Sequence, residues 1–262
     1  MVAALYDRIG KGYDTTRCAD PYITGRLAEL LAFGTGDICL DLACGSGNYT
    51  TALASHGGTW YGIDASTEMI DRARGKTSSV HWTLGDVAAL PFDSETFDRT
   101  MCTLAIHHFP APGAACAEVY KVLRPGGRFV LFTALPEQME RYWLRNYFPK
   151  AMDRSIAQMP SFEHVAGALR SAGFSIISTE PYEIQPDIQD LFLYSGKHRP
   201  ELYLDPTVRA GISTFAALAD EEEIREGCLR LEADIKTGRI HEVAAEYIHD
   251  GGDYLFIVAH KE

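Results

Sequence analysis

The strongest chemical signal in the sequence is a glycine-rich turn, Asp41-Leu42-Ala43-Cys44-Gly45-Ser46-Gly47-Asn48, which leaves a predicted strand and opens a predicted helix. Gly45 and Gly47 let the backbone turn tightly and approach a bound molecule closely. The next predicted strand ends in Asp64, whose carboxylate can accept hydrogen bonds from the two hydroxyls of a ribose. The pair of signals indicates an adenosine-type ligand, although a glycine pair alone is also typical of an ordinary strand-to-helix turn.

Two adjacent histidines, His107 and His108, lie where the fourth predicted strand ends. Imidazole titrates close to neutral pH, so either side chain is a candidate to take a proton from a reacting group, and His108 is the first to test. The alternative is that both side chains only hold the loop or bond to the backbone. We expect no metal site, because the six cysteines form no C-x-x-C pair.

The elements that must position these residues alternate between apolar runs and helical patterns, which predicts βαβ units and a parallel sheet. Gly57, Gly126 and Gly173 follow predicted helices and predict where these end. The predicted strands are 38–42, 60–64, 80–84, a segment within 97–105, 128–134, 175–183 and 254–259.

Two segments interrupt this alternation, 137–160 and 184–252. The second contains a helical pattern from Asp220 to Thr237, with Gly238 as its stop. A structureless loop of that length is implausible in a compact domain. We therefore predict a single domain, residues 1–262, in which these two segments are helical cap insertions over the pocket of the molecule on which the protein acts.

The composition restricts the class of partner. The chain has 262 residues, 24 Lys+Arg and 36 Asp+Glu, and a net charge of −12, with 46% hydrophobic residues. An acidic chain lacks the basic face that nucleic acid or an anionic membrane requires, so we expect neither as a partner. No run approaches the ~20 apolar residues of a membrane helix, no signal peptide is visible, and scattered cysteines fit a reducing cytoplasm.

Five ordered motifs resemble those of the class I S-adenosylmethionine (SAM)-dependent methyltransferases, especially the ubiquinone/menaquinone-type branch. The resemblance covers residues 10 to 135 and implies a Rossmann-like α/β sheet, mostly parallel with an antiparallel last strand. It also implies SAM as cofactor and S-adenosylhomocysteine as product. The motifs are Asp41–Gly47, Gly62–Ser66, Gly85–Phe92, Phe97–Asp98 with Leu104–Phe109, and Val122–Phe129.

The resemblance assigns Asp64 to the ribose and Asp86 to the adenine amino group. Backbone groups near Ala43, Gly45 and Leu104 meet the ammonium of the methionine end, and Arg17 meets its carboxylate. An exposed Arg17 and a packing Tyr13 remain the alternative. The implied cofactor-binding residues are Tyr13, Arg17, Asp41, Ala43, Gly45, Gly47, Asp64, Ala65, Met69, Asp86, Val87 and Leu104.

The reactant that receives the methyl group is expected to be a small molecule, in keeping with a place in secondary metabolism. Tyr142, Trp143 and Tyr147 can form an aromatic wall over it, or else belong to an amphipathic helix on the core. Other chemistry on bound SAM, an inactive homologue and an NAD-dependent oxidoreductase are the competing interpretations. The last is disfavoured because Thr50 stands where the third glycine of its motif belongs.

Overall fold

The computed structural model describes residues 12–262, and the strands among them form one twisted sheet. Their bounds are β1 Ile38–Leu42, β2 Thr59–Asp64, β3 His81–Leu84, β4 Phe97–Thr103, β5 Leu123–Thr133, β6 Ser175–Tyr182 and β7 Tyr254–His260. The order is β3-β2-β1-β4-β5-β7-β6, and β7 runs antiparallel to both of its neighbours. The predicted fold, a mostly parallel sheet whose last strand is antiparallel, is confirmed.

The helices cover both faces of the sheet, and several of them lie in the segments 137–160 and 184–252, called here the first and second insertions. The α-helices among the described residues are α1 Tyr13–Thr16, α2 Pro21–Leu31, α3 Asn48–Ala54, α4 Thr67–Lys76, α5 Pro112–Val122, α6 Pro136–Glu140, α7 Pro149–Ile156, α8 Phe162–Ala172, α9 Pro206–Ala210, α10 Glu221–Thr237 and α11 Arg239–Ala245. Short 3₁₀ turns cover Ile106–His108, Trp143–Asn146 and Pro200–Leu204, and a π turn covers Thr214–Leu218.

Helix ends follow the residues that the sequence supplies for them. The Ser66 hydroxyl accepts a hydrogen bond from the Met69 amide at the start of α4, and the Asp220 carboxylate caps α10 in the same way through Glu223. Side-chain caps of this kind satisfy amide groups that have no partner within the helix. Gly238 closes α10 in the left-handed conformation, as its position in the sequence predicts.

Alternate residues of the central strands feed two apolar cores, one on each face of the sheet. Phe132 and Phe256 belong to the core that continues into the insertions, whereas Leu131 and Ile257 belong to the opposite core. The insertions are therefore anchored by the same apolar layer as one face of the sheet. No helix among residues 12–262 is long and apolar enough to cross a membrane.

Candidate functional site

A cavity of about 520 Å³ lies at the carboxyl edge of the parallel strands and extends under the insertions. Ligands of doubly wound sheets bind at this edge, because the strand ends and helix starts leave a crevice there. Eleven of the twelve predicted cofactor-binding residues and both predicted histidines line it, and Gly47 is the exception. They are Tyr13, Arg17, Asp41, Ala43, Gly45, Asp64, Ala65, Met69, Asp86, Val87, Leu104, His107 and His108.

The glycine turn and the end of β4 present strained backbone to this cavity. Ala43 and Leu104 have φ angles of 52° and 55°, a left-handed conformation that non-glycine residues seldom adopt. Strain of this kind tends to concentrate where a backbone is shaped for a ligand. A Cβ atom on Gly45 would meet nothing within 4 Å, so open space adjoins that residue.

Gly47 has a packing role in the structure. It precedes α3 with a φ of 74°, and a Cβ atom there would lie 2.3 Å from Cη2 of Trp82. The indole of Trp82 therefore requires glycine at this position. Gly47 lies beside the cavity wall and does not form part of it.

Asp64 is held in place by backbone donors. The amides of Gly45 and Ser66 donate to its two carboxylate oxygens, each at 2.9 Å. These bonds fix the rotamer of the Asp64 side chain. The Asp86 carboxylate accepts from the Ala88 amide at 2.9 Å and is otherwise exposed at the cavity edge.

Asp41 carries an unsatisfied acceptor at the cavity. One of its oxygens accepts from the Thr50 hydroxyl at 2.5 Å, whereas the other is buried with no partner among the described residues. Burial without a compensating donor raises the pKa of this carboxyl to about 7. A hydrogen-bond donor on the ligand, such as an ammonium group, would satisfy the unpaired oxygen of Asp41. This unpaired acceptor and the open space beside Gly45 thus fit the ammonium at the amino-acid end of SAM.

The start of the described chain is fastened over the glycine turn. Asp14 in α1 accepts hydrogen bonds from the Ser46 hydroxyl and the Lys76 ammonium, both at 2.6 Å. The Asn48 amide donates to the Arg17 carbonyl at 3.1 Å. Residues 13–17 are thus fastened beside the glycine turn, where Tyr13 and Arg17 line the cavity.

Arg17 lies on the cavity wall in a salt bridge with Asp190 of the second insertion, with Nε and Oδ1 2.5 Å apart. Its guanidinium also stacks near the rings of Tyr13 and Phe192, at 5.1 and 5.8 Å. Burial opposes its charge, but the Asp190 carboxylate outweighs that effect and raises the pKa of Arg17. The Arg17 side chain is therefore largely buried and held in one orientation, which excludes the alternative of an exposed Arg17.

The two histidines line the cavity side by side, with ring centroids 3.9 Å apart. Burial lowers the pKa of His107 to about 3 and that of His108 to about 4. Both rings are therefore neutral at pH 7, and Nδ1 of His107 is buried with no partner among the described residues. They can accept a hydrogen bond or proton, but so low a pKa makes them weak bases.

The part of the cavity under the insertions is largely apolar and contains a hydrogen-bonded pair of hydroxyls. Ser155 of α7 and Thr214 of the π turn are both buried, and their oxygens lie 3.0 Å apart. The other residues lining this part are Thr133, Ala134, Met139, Met159, Phe192, Leu193, Ile212, Ser213 and Tyr254. Among the described lining residues it contains no Lys, Asp or Glu, and Arg17–Asp190 stands at its border.

The three aromatic residues predicted to cover the second reactant lie elsewhere. Tyr142 is buried with its hydroxyl 2.5 Å from that of Tyr203, and Trp143 donates to the Lys197 carbonyl at 3.3 Å. The Tyr147 hydroxyl donates to Asp234 at 2.8 Å. None of the three lines the cavity. Their polar tips are satisfied inside the core between the insertions, which is where large apolar rings are buried most favourably.

Several residues of the site carry no signal in the sequence. Asp190 lies in a segment without strand or helix periodicity, and Ser155 lies on the buried face of α7, where its residue type alone does not mark it as lining a cavity. Asn48 and Tyr49 also line the cavity, and only their position one and two residues after Gly47 indicates this in the sequence. Within residues 12–262, no group of three or more His, Cys, Asp or Glu side chains comes together as metal ligands.

Comparisons with known proteins agree with this geometry. A family model for a methyltransferase domain, Methyltransf_11, matches residues 40–131. The chain is 31% identical over 136 residues to malonyl-(acyl-carrier protein) O-methyltransferase of Yersinia pestis, a match that covers 52% of this chain and 51% of that one. It is 29% identical over 181 residues to a demethylmenaquinone methyltransferase of Mycobacterium sp., covering 65% and 78% respectively.

A solved structure from Anabaena variabilis is similar over nearly the whole chain. Its description assigns it to the methyltransferases of an antibiotic biosynthesis pathway. It superposes with a TM-score of 0.82 at 30% identity, covering 93% of this chain and 98% of that one. The match to the Yersinia relative, by contrast, spans about half of that protein's length. Four of the five motifs contribute residues to the cavity, and together with this arrangement the likenesses establish that the chain belongs to the class I SAM-dependent methyltransferase family.

Proposed function

We propose that the protein transfers the methyl group of SAM to a small, uncharged and largely apolar molecule. The observation that carries the proposal is a continuous cavity, which joins the motif-bearing edge of the sheet to an apolar chamber under the insertions. The likeness to the Anabaena protein supports a small-molecule reactant and a place in secondary metabolism.

At the cofactor end, Asp64 would hold the ribose and Asp86 the adenine amino group. The apolar side chains that could enclose the adenine ring line the same cavity, and they are Ala65, Met69, Val87 and Leu104. Backbone groups at Ala43 and Leu104 would meet the ammonium group, since their strained conformation presents them to the cavity.

SAM supplies a methyl group that its sulfonium has already activated. The contribution of the chain is to orient the second reactant, exclude water and accept a proton where one must leave. His107 and His108 are neutral at pH 7, so either ring can accept a hydrogen bond from a hydroxyl. Their low pKa favours acceptors that are acidic themselves, because a weak base cannot deprotonate a simple alcohol.

The chamber favours an uncharged acceptor. A carboxylate or phosphate group would be buried there with no lysine among the described lining residues, while Arg17 stands at the border of the chamber and is assigned to the cofactor. Burying an unpaired charge is costly. Ser155 and Thr214 bond to each other, which uses one hydroxyl proton and leaves the other for a ligand oxygen. A hydroxyl or carbonyl group on the acceptor would complete this pair.

Methyl-labelled SAM tests the proposal against a panel of phenols, amines and enols, each beside a carboxylate-bearing counterpart such as 2-naphthol beside 6-hydroxy-2-naphthoic acid. We expect label in uncharged members. In a Ser155→Ala/Thr214→Val variant, the acceptor KM should rise about fivefold, the effect of one hydrogen bond, with SAM affinity unchanged.

The control is Ser178→Ala, on the exposed edge strand β6. Label confined to the carboxylate-bearing compounds would contradict the acceptor class. If SAM binds and label enters no compound, the transferase itself is contradicted in favour of other chemistry on bound SAM.

A further inference from the structure

The second insertion reaches into the cofactor half of the cavity through one buried carboxylate. Asp190 is 1% exposed and accepts four hydrogen bonds. The donors are Nε and Nη2 of Arg17 at 2.5 and 3.2 Å, the Tyr49 hydroxyl at 3.0 Å and the Cys18 amide at 3.4 Å. A carboxylate that already accepts four donors has little capacity left for a ligand, so its task is to hold its partners.

The chief partner, Arg17, has N–H groups that Asp190 does not engage. A guanidinium has five N–H bonds in a fixed plane, and Asp190 engages only Nε and Nη2. The rings of Tyr13 and Phe192 lie against the same group and oppose its rotation. Nη1 therefore remains for a ligand at a fixed place on the cavity wall.

The contact between the insertion and the N-terminal segment does not depend on the arginine alone. The Leu191 amide donates to the Thr16 carbonyl at 2.9 Å, and the Gln189 amide donates to the Asp20 carboxylate at 2.9 Å. Asp20 is fully buried and caps α2 with its other oxygen. Residues 189–191 are thus fastened along the segment that carries Arg17.

We propose that Asp190 is a positioning residue, which orients the Arg17 guanidinium so that its remaining N–H groups bind the α-carboxylate at the amino-acid end of the cofactor. The inference rests on the proposed function, since it takes SAM as the ligand. It makes the second insertion part of the cofactor site as well as the roof of the acceptor chamber.

The test compares two ligands by calorimetry. S-adenosylhomocysteine carries the α-carboxylate and the ammonium, whereas 5′-methylthioadenosine keeps the adenosine and the thioether and lacks both charged groups. Asp190→Asn should weaken S-adenosylhomocysteine binding about 10- to 100-fold, the range for a lost hydrogen bond to a charged group. Its affinity for 5′-methylthioadenosine should stay within about twofold of wild type, because this ligand has no carboxylate to bond to Arg17.

Three further variants sharpen the result. Asp187→Asn removes a charge three residues away and should leave both affinities unchanged. The Asp187 carboxylate is exposed and, within residues 12–262, accepts only from the Tyr22 hydroxyl. Arg17→Met should reproduce the ligand-selective loss. Adding Asp190→Asn to Arg17→Met should cost no further affinity, since the two residues act as one unit.

Asp190→Asn leaves a buried guanidinium with a weaker partner, so thermal melting must accompany the titrations. If that variant cannot be purified, Tyr49→Phe removes one donor to Asp190, and a loss of about threefold for S-adenosylhomocysteine alone is expected. Equal losses for the two ligands, or no loss for either, would overturn the proposal. Failure of the wild type to bind S-adenosylhomocysteine would instead count against the proposed function.

Discussion

Asp64 is oriented before any ligand is bound. The amides of Gly45 and Ser66 each hold one of its oxygens, and these two residues come from the glycine turn and from the cap of α4. Preorganised acceptors of this kind bind tightly because no side-chain freedom is lost on binding. A substitution that alters the charge of this side chain without altering its shape should therefore have a large effect on ligand affinity.

Asp64→Asn should weaken S-adenosylhomocysteine binding about 10- to 100-fold, because an amide is a weaker acceptor for the ribose hydroxyls and presents an NH₂ group to one of the backbone amides. Calorimetry measures the change. Asp71→Asn in α4, where the side chain is exposed and paired with Arg74, serves as the matched control. An unchanged Kd in Asp64→Asn would remove this residue from the site.

The helices α10 and α2 each contain a glycine, and the two glycines differ in how closely their surroundings pack against them. α10 packs so closely on the first insertion that a Cβ atom at Gly227 would lie 2.4 Å from Cε1 of Phe148 and 2.6 Å from the Tyr147 carbonyl oxygen. At Gly25 in α2, a Cβ atom would meet nothing within 4 Å. The same substitution should therefore have opposite effects in the two helices.

Gly25→Ala should raise the free energy of unfolding by about 0.5–1 kcal/mol, since alanine restricts the unfolded chain and favours a helix. Gly227→Ala should lower it by about 1–3 kcal/mol through overpacking. Urea denaturation followed by circular dichroism measures both, and each variant serves as the control of the other. Equal changes in the two variants would show that the close packing of α10 on Phe148 does not contribute to stability.

At the scale of the whole molecule, buried titratable groups on the cavity link stability to pH with opposite signs. His107 and His108 have pKa values near 3 and 4, below the usual value of about 6.5, so the unfolded chain binds more protons than the folded chain between these limits. Their contribution is lost as the pH falls. Asp41, with a pKa near 7, contributes stability that is lost as the pH rises towards 7.

The His107→Gln/His108→Gln variant should lose less thermal stability than the wild type when the pH falls from 6.5 to 4.5. The quantity to compare is the slope of Tm against pH, because the substitutions also alter Tm at neutral pH. His241→Gln, at an exposed position of α11, should keep the wild-type slope. Parallel slopes for the wild type and the double variant would contradict the low pKa values.

Local patterns were sufficient for the sheet and for most of the cofactor edge. The bounds of β1 were predicted correctly, and the caps at Ser66 and Asp220 follow from their residue types. The acceptor chamber was not predictable in the same way. The hydrogen-bond partners of Tyr142, Trp143 and Tyr147 lie 61, 54 and 87 positions along the chain, and no local pattern specifies such contacts.

The second insertion leaves the sheet at Tyr182 and returns at Tyr254, and these two residues face each other across β6 and β7. Its two ends therefore lie at adjacent strand positions, where a short hairpin could connect them. A graft from a relative could thus exchange the roof of the chamber, and with it the acceptor, without rebuilding the sheet. Such a chimera should retain cofactor affinity only if the grafted segment supplies a carboxylate at the position of Asp190.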